Sequence, residues 1–165
     1  MEQKYRNILV PVDGSKNAEK ALKKAIEAAK RNNGRIEVLN VIDTKQFTNN
    51  FGGMISMSGD IIYSTFEAVQ QYLEKLKESI VQEEDFANVG VHARFGSPRV
   101  VIAHDFVEDY PIDLIILGKT GMSAVGRILV GSVTDGVVRT AKCDVLVVGW
   151  KRGNDDVNIR DDCFS

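Results

Sequence analysis

Short, mostly apolar runs alternate along the whole chain with longer stretches that are apolar only at every third or fourth residue. Runs of the first kind suit strands buried on both faces. Stretches of the second kind suit amphipathic helices packed on those faces, so the alternation predicts a parallel sheet joined by crossover helices. Five strands are readable: Ile8 to Val12, Ile36 to Val41, Gly90 to Phe95, Asp113 to Leu117 and Val145 to Trp150. The fourth is the most apolar and is expected inside the sheet. Helices are predicted from about Ser15 to Asn32, from Ile61 to Glu84, from Pro98 to Asp109 and from Ser132 to Lys142. Ala18, Ala21, Leu22, Ala25, Ile26 and Ala29 form one stripe of the first, with Ser15 as N-cap and Gly34 where a C-cap glycine belongs. Ile62, Phe66, Val69, Leu73, Leu76 and Ile80 do the same for the second, and Ser97 is read as capping the third, with Pro98 at its first position. The expected fold is a single-domain α/β, doubly wound five-stranded parallel sheet in the order 3-2-1-4-5 with helices on both faces. It spans residues 1–150, and residues 151–165, which lack periodicity, are expected to form a mobile tail.

In such a sheet a ligand sits beyond the carboxyl ends of the strands where the strand order reverses, here between strands one and four. Strand one runs into Pro11-Val12-Asp13-Gly14, and strand four into Gly118-Lys119-Thr120-Gly121, with Gly131-Ser132-Val133-Thr134 opening the next helix. Glycine at 118 and 121 permits positive φ and lets a ligand approach the backbone, while the helix start at Ser132 offers N–H groups and two hydroxyls to an anion. Asp13 is a candidate for holding a divalent cation or a ligand donor, the alternative being an Asx turn ahead of the first helix. Lys119 and Arg127 are candidate cations for phosphate. Gly118-Lys119-Thr120 is not the tail of a P-loop, because the glycine five positions earlier is replaced by Asp113, and no GxGxxG follows strand one. The segment from Asp43 to Asp60, with Phe47, Phe51, Met54 and the pair Gly52-Gly53, is long for a plain connection and reads equally as a lid or binding loop or as a partly disordered stretch.

Composition narrows the partners. With 165 residues, 44% hydrophobic and 27% charged, the chain is long enough for one packed core. Its 21 basic and 23 acidic residues give a net charge of −2, so no basic excess favours nucleic acid. Cys143 and Cys163 lie 20 residues apart with no CxxC, which supports neither a disulfide framework nor a zinc site and fits a reducing cytoplasm. The start of the chain is too charged for a signal peptide and no run approaches a membrane span. His92 and His104 have no carboxylate or thiol at ligand spacing, so catalysis by either is not expected. Strand five is an edge in the expected order, and its apolar run from Val145 to Trp150 is expected to be covered by a second copy of the chain.

Taken together, Asn7 to Ser15, Gly118-x2-Gly121-x9-Gly131-Ser132 and Cys143 to Val148 resemble the universal stress protein family, over residues 5 to 150. The resemblance implies an α/β sandwich, ATP with a divalent cation (Mg or Mn) in the crevice, homodimerisation and a regulatory role in stress response. By position it implies that Pro11, Val12, Asp13 and Val41 line the nucleotide. It likewise puts Gly118 and Gly121 at the ribose and phosphate turn, and Gly131, Ser132, Val133 and Thr134 at the phosphate-binding helix start. The rival reading is a slow ATP hydrolase or adenylyl-transferring enzyme in the same crevice. No general base with an orienting partner is readable, so no catalytic residue is assigned.

Overall fold

The strand Asn7–Pro11 (β1), first in the chain, lies in the middle of the five-stranded sheet. The computed structural model describes residues 5–45, 59–121 and 130–149. After β1 come α1 (Lys16–Asn32), β2 (Arg35–Asp43), α2 (Gly59–Glu83) and β3 (Val89–Gly96). A helix α3 follows in three consecutive pieces, Pro98–Val100, Val101–Asp105 and Phe106–Asp109, the middle one wound as a π turn. β4 (Leu114–Gly118), α4 (Ser132–Thr140) and β5 (Asp144–Val148) complete the order. The sheet is wholly parallel and ordered β3-β2-β1-β4-β5, as the alternation of runs predicts. The segment 46–58, Trp150 and residues 151–165 lie outside the described residues, so the lid and tail expectations fall there.

Successive residues of each strand point to opposite faces, and both faces are dry. Ile8, Val10, Ile36, Val38, Leu114 and Ile116 pack with α1 and α2, whereas Leu9, Leu39, Ile115 and Leu117 pack with α3 and α4. The crossovers to β2 and β3 therefore cover one face, and those to β4 and β5 cover the other. The winding reverses between β1 and β4, the two strands joined by Ile8↔Leu114 and Leu9↔Ile115. β4 is internal, as its apolarity predicts, although the middle position belongs to β1.

Local chemistry sets the element ends. Ser15 caps α1, its hydroxyl accepting from Ala18 N–H at 3.2 Å. The left-handed residue that ends α1 is Asn33, at φ 50°, rather than the expected Gly34. Gly34 is needed for space instead, since a Cβ there would lie 2.7 Å from the Arg6 carbonyl oxygen. Ser97 occupies the N-cap position of α3, but only its backbone carbonyl serves the helix, accepting from Val100 and Val101. At the amino ends of the strands, the Asp113 carboxylate accepts from the N–H groups of Arg6 at 2.9 Å and Asn7 at 3.1 Å, tying β1 to β4.

One carboxylate is buried within the sheet. Glu37 of β2, 5% exposed, accepts from the Arg35 guanidinium on one oxygen and meets His92 Nε2 of β3 at 2.7 Å on the other. The structure thus gives His92 a carboxylate partner, which corrects the expectation from spacing; the two residues are 55 positions apart and are brought together by the β2–β3 pairing. The other ring nitrogen of His92 faces the Tyr110 hydroxyl at 3.5 Å, and the ring packs edge-on against Phe106.

Burial pushes the Glu37 carboxyl up, but its hydrogen bonds to His92 and Arg35 outweigh burial and hold it below the usual carboxylate range. A depressed folded value makes the charge stabilising above the unfolded value, ~4.3, and that stability is lost as pH falls through the folded value. Glu37→Gln should therefore be less stable than the wild type at neutral pH by about 1–3 kcal/mol in urea titrations. The gap should shrink as pH drops below about 4. A gap that stays constant as pH is taken well below that value would show that the charge contributes nothing.

Candidate functional site

The end of β4 and the turn after it approach the first turn of α1 and Asp13 closely, and glycine makes the approach possible. A Cβ on Gly118 would lie 2.7 Å from the carbonyl carbon of Asn17 and 2.9 Å from its oxygen, and a Cβ on Gly121 would lie 2.5 Å from Asp13 Oδ2. The end of β4 is thus pressed against the first turn of α1, and the turn after it against the carboxylate after β1. Neither Gly118, Gly121 nor Gly131 has a left-handed φ; among the described glycines only Gly14, at 81°, and Gly96, at 147°, do. The expectation of positive φ at 118 and 121 is therefore corrected: these glycines are needed for close approach.

β1 leads into the crevice through residues held by β2. Pro11 pairs with Leu39, Val12 N–H donates to the Leu39 carbonyl at 2.8 Å, and the Asn40 amide donates to the Val12 carbonyl at 2.9 Å. Asp13 is exposed, and its Oδ1 accepts from Ser15 N–H at 3.0 Å, which is an Asx turn into α1. Val41 sits in the carboxyl half of β2 opposite Arg94, partly buried against the α3 and α4 face.

The turn after β4 is held carbonyl by carbonyl. Gly118 O accepts from the Thr134 hydroxyl at 2.8 Å, Lys119 O from Gly131 N–H at 2.8 Å, and Thr120 O from Asn17 Nδ2 at 3.2 Å. Asn17 Nδ2 also reaches Thr120 Oγ1 at 2.6 Å. In a trans peptide the C=O and the following N–H point in opposite directions. Fixing the Lys119 and Thr120 carbonyls therefore fixes where the N–H groups of Thr120 and Gly121 point. Gly131 is the N-cap of α4, and Ser132 beside it is exposed. The first N–H groups of α4 have no acceptor within the helix, and they carry the positive end of its dipole. Val133 is partly buried, and Thr134, 4% exposed, turns its hydroxyl inward, so of the two hydroxyls at this helix start only that of Ser132 is exposed.

Asn17 is unusual in this setting. Its Oδ1 is buried without a hydrogen-bond partner, and it is the only such side-chain atom among the described residues. Each hydrogen bond of Nδ2 contributes about 1 kcal/mol net, and an orphaned buried oxygen costs about 1–3 kcal/mol. The amide is therefore close to neutral for stability. Turning it over would only transfer the deficit to nitrogen and set an oxygen against Thr120 O.

Other candidates are distributed less favourably. Lys119 lays its side chain along Gly149 at the end of β5, and Arg127 lies outside the described residues, as does Cys163. No cluster of metal-ligating side chains occurs among the described residues. Sequence reasoning missed Tyr72 on α2. Partial burial first, then the negative charges of Glu19 and Asp13, push its phenol up, so it stays a hydrogen-bond donor within electrostatic reach of the crevice. It stands beside Leu73, outside the apolar stripe of α2, and its approach to Asp13 depends on how α2 packs.

The family model described as "Universal stress protein family" matches residues 4–149. A putative universal stress protein of Staphylococcus aureus, strain USA300, is 37% identical over 154 residues, covering 87% of this chain and 84% of its own length. The solved universal stress protein UspA from Lactobacillus plantarum is similar with a TM-score of 0.68 and 31% identity, over 89% of this chain and 99% of its own. The universal stress protein from Archaeoglobus fulgidus, solved in complex with dAMP, shares the fold with a TM-score of 0.59 and 23% identity, over 88% of this chain and 99% of its own.

The two contact glycines should respond differently to a methyl group. Gly118→Ala meets backbone that cannot turn aside and should lose about 1–3 kcal/mol of stability. Gly121→Ala meets only the end of the Asp13 side chain, which can rotate, and should lose less. Equal losses in urea titrations would show that the Asn17 backbone gives way as easily as the carboxylate.

Proposed function

The chain belongs to the universal stress protein family, and on that premise we propose that it binds ATP in the β1–β4 crevice and acts as a nucleotide-dependent regulatory module in stress response. The observation that carries the reading is the contact of Gly118 and Gly121 with the first turn of α1 and with Asp13, beside the open start of α4. This arrangement gathers backbone N–H groups of two segments at one edge of the sheet, a setting that suits phosphate oxygens. Pro11 and Val41, both partly buried, supply apolar surface from the neighbouring strand ends on which a base can rest, while the Val12 side chain, 5% exposed, belongs to the core and leaves only its backbone to line the site. Further support comes from the family neighbour described as a dAMP complex.

A divalent cation, Mg or Mn, would accompany the phosphates. The residues fit that role in a limited way: Asp13 offers one carboxylate, and magnesium bound with nucleotide commonly takes one or two protein carboxylates and completes its shell with phosphate and water. Asp13 Oδ1 accepts in the Asx turn, and in that arrangement Oδ2 lies on the side of Gly121.

Calorimetry with ATP and magnesium tests the assignment. The wild-type chain should bind with saturable heat, and Gly121→Val, with its branched side chain against Asp13, should weaken binding by about tenfold or more. A folded Gly121→Val chain with unchanged affinity would remove the site from this crevice.

We also propose a homodimer through β5. Among the described residues β5 pairs with β4 alone, and Leu146 on it is 46% exposed, an edge that invites a further strand. Light scattering at micromolar concentration should report a dimer even with residues 151–165 removed. A monomer under those conditions would rule it out.

A further inference from the structure

We propose that Asn17 is a positioning residue of the nucleotide site: its amide sets the Thr120 peptide, and through it the direction of the Gly121 N–H. The inference rests on the nucleotide-binding reading above and goes beyond it, because Asn17 is assigned no contact with the ligand.

Three observations converge on this residue. Its Nδ2 holds both the carbonyl and the hydroxyl of Thr120, at 3.2 and 2.6 Å. The same peptide group that carries the Thr120 carbonyl carries the Gly121 N–H, so one hydrogen bond fixes both. Its backbone is what Gly118 abuts, so the amide is referenced to the rigid junction of α1 and β4 and not to a mobile loop. Finally, Oδ1 is buried and unpaired, which offsets the gain from the two hydrogen bonds. A side chain serving stability alone would be better replaced by one without the orphan. What the amide provides is a fixed orientation of the Thr120–Gly121 peptide before the ligand arrives, and preorganisation of that kind improves affinity by lowering the ordering cost of binding.

The two preceding carbonyls show why this link is separable. Gly118 O and Lys119 O are held from α4, by Thr134 and by Gly131 N–H. Thr120 O is held from α1, across the crevice. Removing the Asn17 amide leaves the first two anchors in place and frees only the last peptide of the turn.

The test uses the full chain, ATP with magnesium as probe, calorimetry for affinity and thermal melting for stability. Asn17→Ala should weaken binding about tenfold while the melting temperature stays within about 4 °C of wild type. Thr120→Val, which removes the hydroxyl but keeps the carbonyl, should weaken binding about threefold, and the double variant should bind no worse than Asn17→Ala alone, because both changes break one link. Unchanged affinity in Asn17→Ala, losses that multiply in the double variant, or a melting temperature that collapses in Asn17→Ala would each overturn the proposal, the last by showing the amide to be structural. Failure of the wild-type chain to bind ATP would remove the nucleotide reading and this one together; wild-type binding with any of the other three results would remove this one alone.

Discussion

The close approach of α1 to β4 is the constraint on which the rest of the arrangement depends. A parallel sheet covered on both faces must send its early crossovers to one side and its late ones to the other, and the chain changes side between β1 and β4. Among the described residues that boundary is closed by Gly118 set against the Asn17 backbone and by Gly121 set against the Asp13 carboxylate. A side chain on Gly118 would push α1 off β4, and the crevice would lose the wall that shapes it.

The two ends of the sheet carry opposite electrostatic character, for the same reason. At the amino ends the strands carry bound carboxylates: Asp113 accepts from the N–H groups of Arg6 and Asn7, Asp144 accepts from the Tyr5 hydroxyl at 2.6 Å, and Glu37 is held between Arg35 and His92. At the carboxyl ends, carbonyls of the turn after β4 are consumed by protein donors, among them the Gly131 N–H, and the first N–H groups within α4 carry the positive end of its dipole. An anion is therefore disfavoured at the amino ends by these carboxylates and favoured at the start of α4. Lys119 adds little to this division, since its side chain runs toward the end of β5.

Thr134 and Asn17 together show how polar side chains maintain the crevice without facing a ligand. The Thr134 hydroxyl is spent on Gly118 O, fixing the β4 end to α4, and the Asn17 amide is spent on Thr120, fixing the same turn to α1. The turn is thereby suspended between helices from the two faces of the sheet. Shifts of either helix must be felt there, which gives a physical route from the crevice to the outer surfaces of the molecule.

Periodicity determined the strands and helices and their succession along the chain, because burial leaves strands short and mostly apolar while helices keep one polar side, and the spatial order 3-2-1-4-5 was expected as the common one for such a succession. The switch point could be placed for the same reason, and with it Pro11 to Asp13, Gly118, Gly121 and the start of α4. Element ends were read less well: Asn33 and not Gly34 closes α1, since a left-handed residue and a residue needing space look alike in sequence when both are small or polar. What only the tertiary structure decided are the contacts between residues far apart in the chain. Glu37 and His92 are 55 positions apart, Asn17 and Thr120 are 103 apart, and Tyr72 approaches Asp13 only because α2 packs on the face of the sheet that α1 covers. No local pattern announces such pairs, because helix and strand periodicities record which side of an element is buried and carry no information about which residue of another element it is buried against.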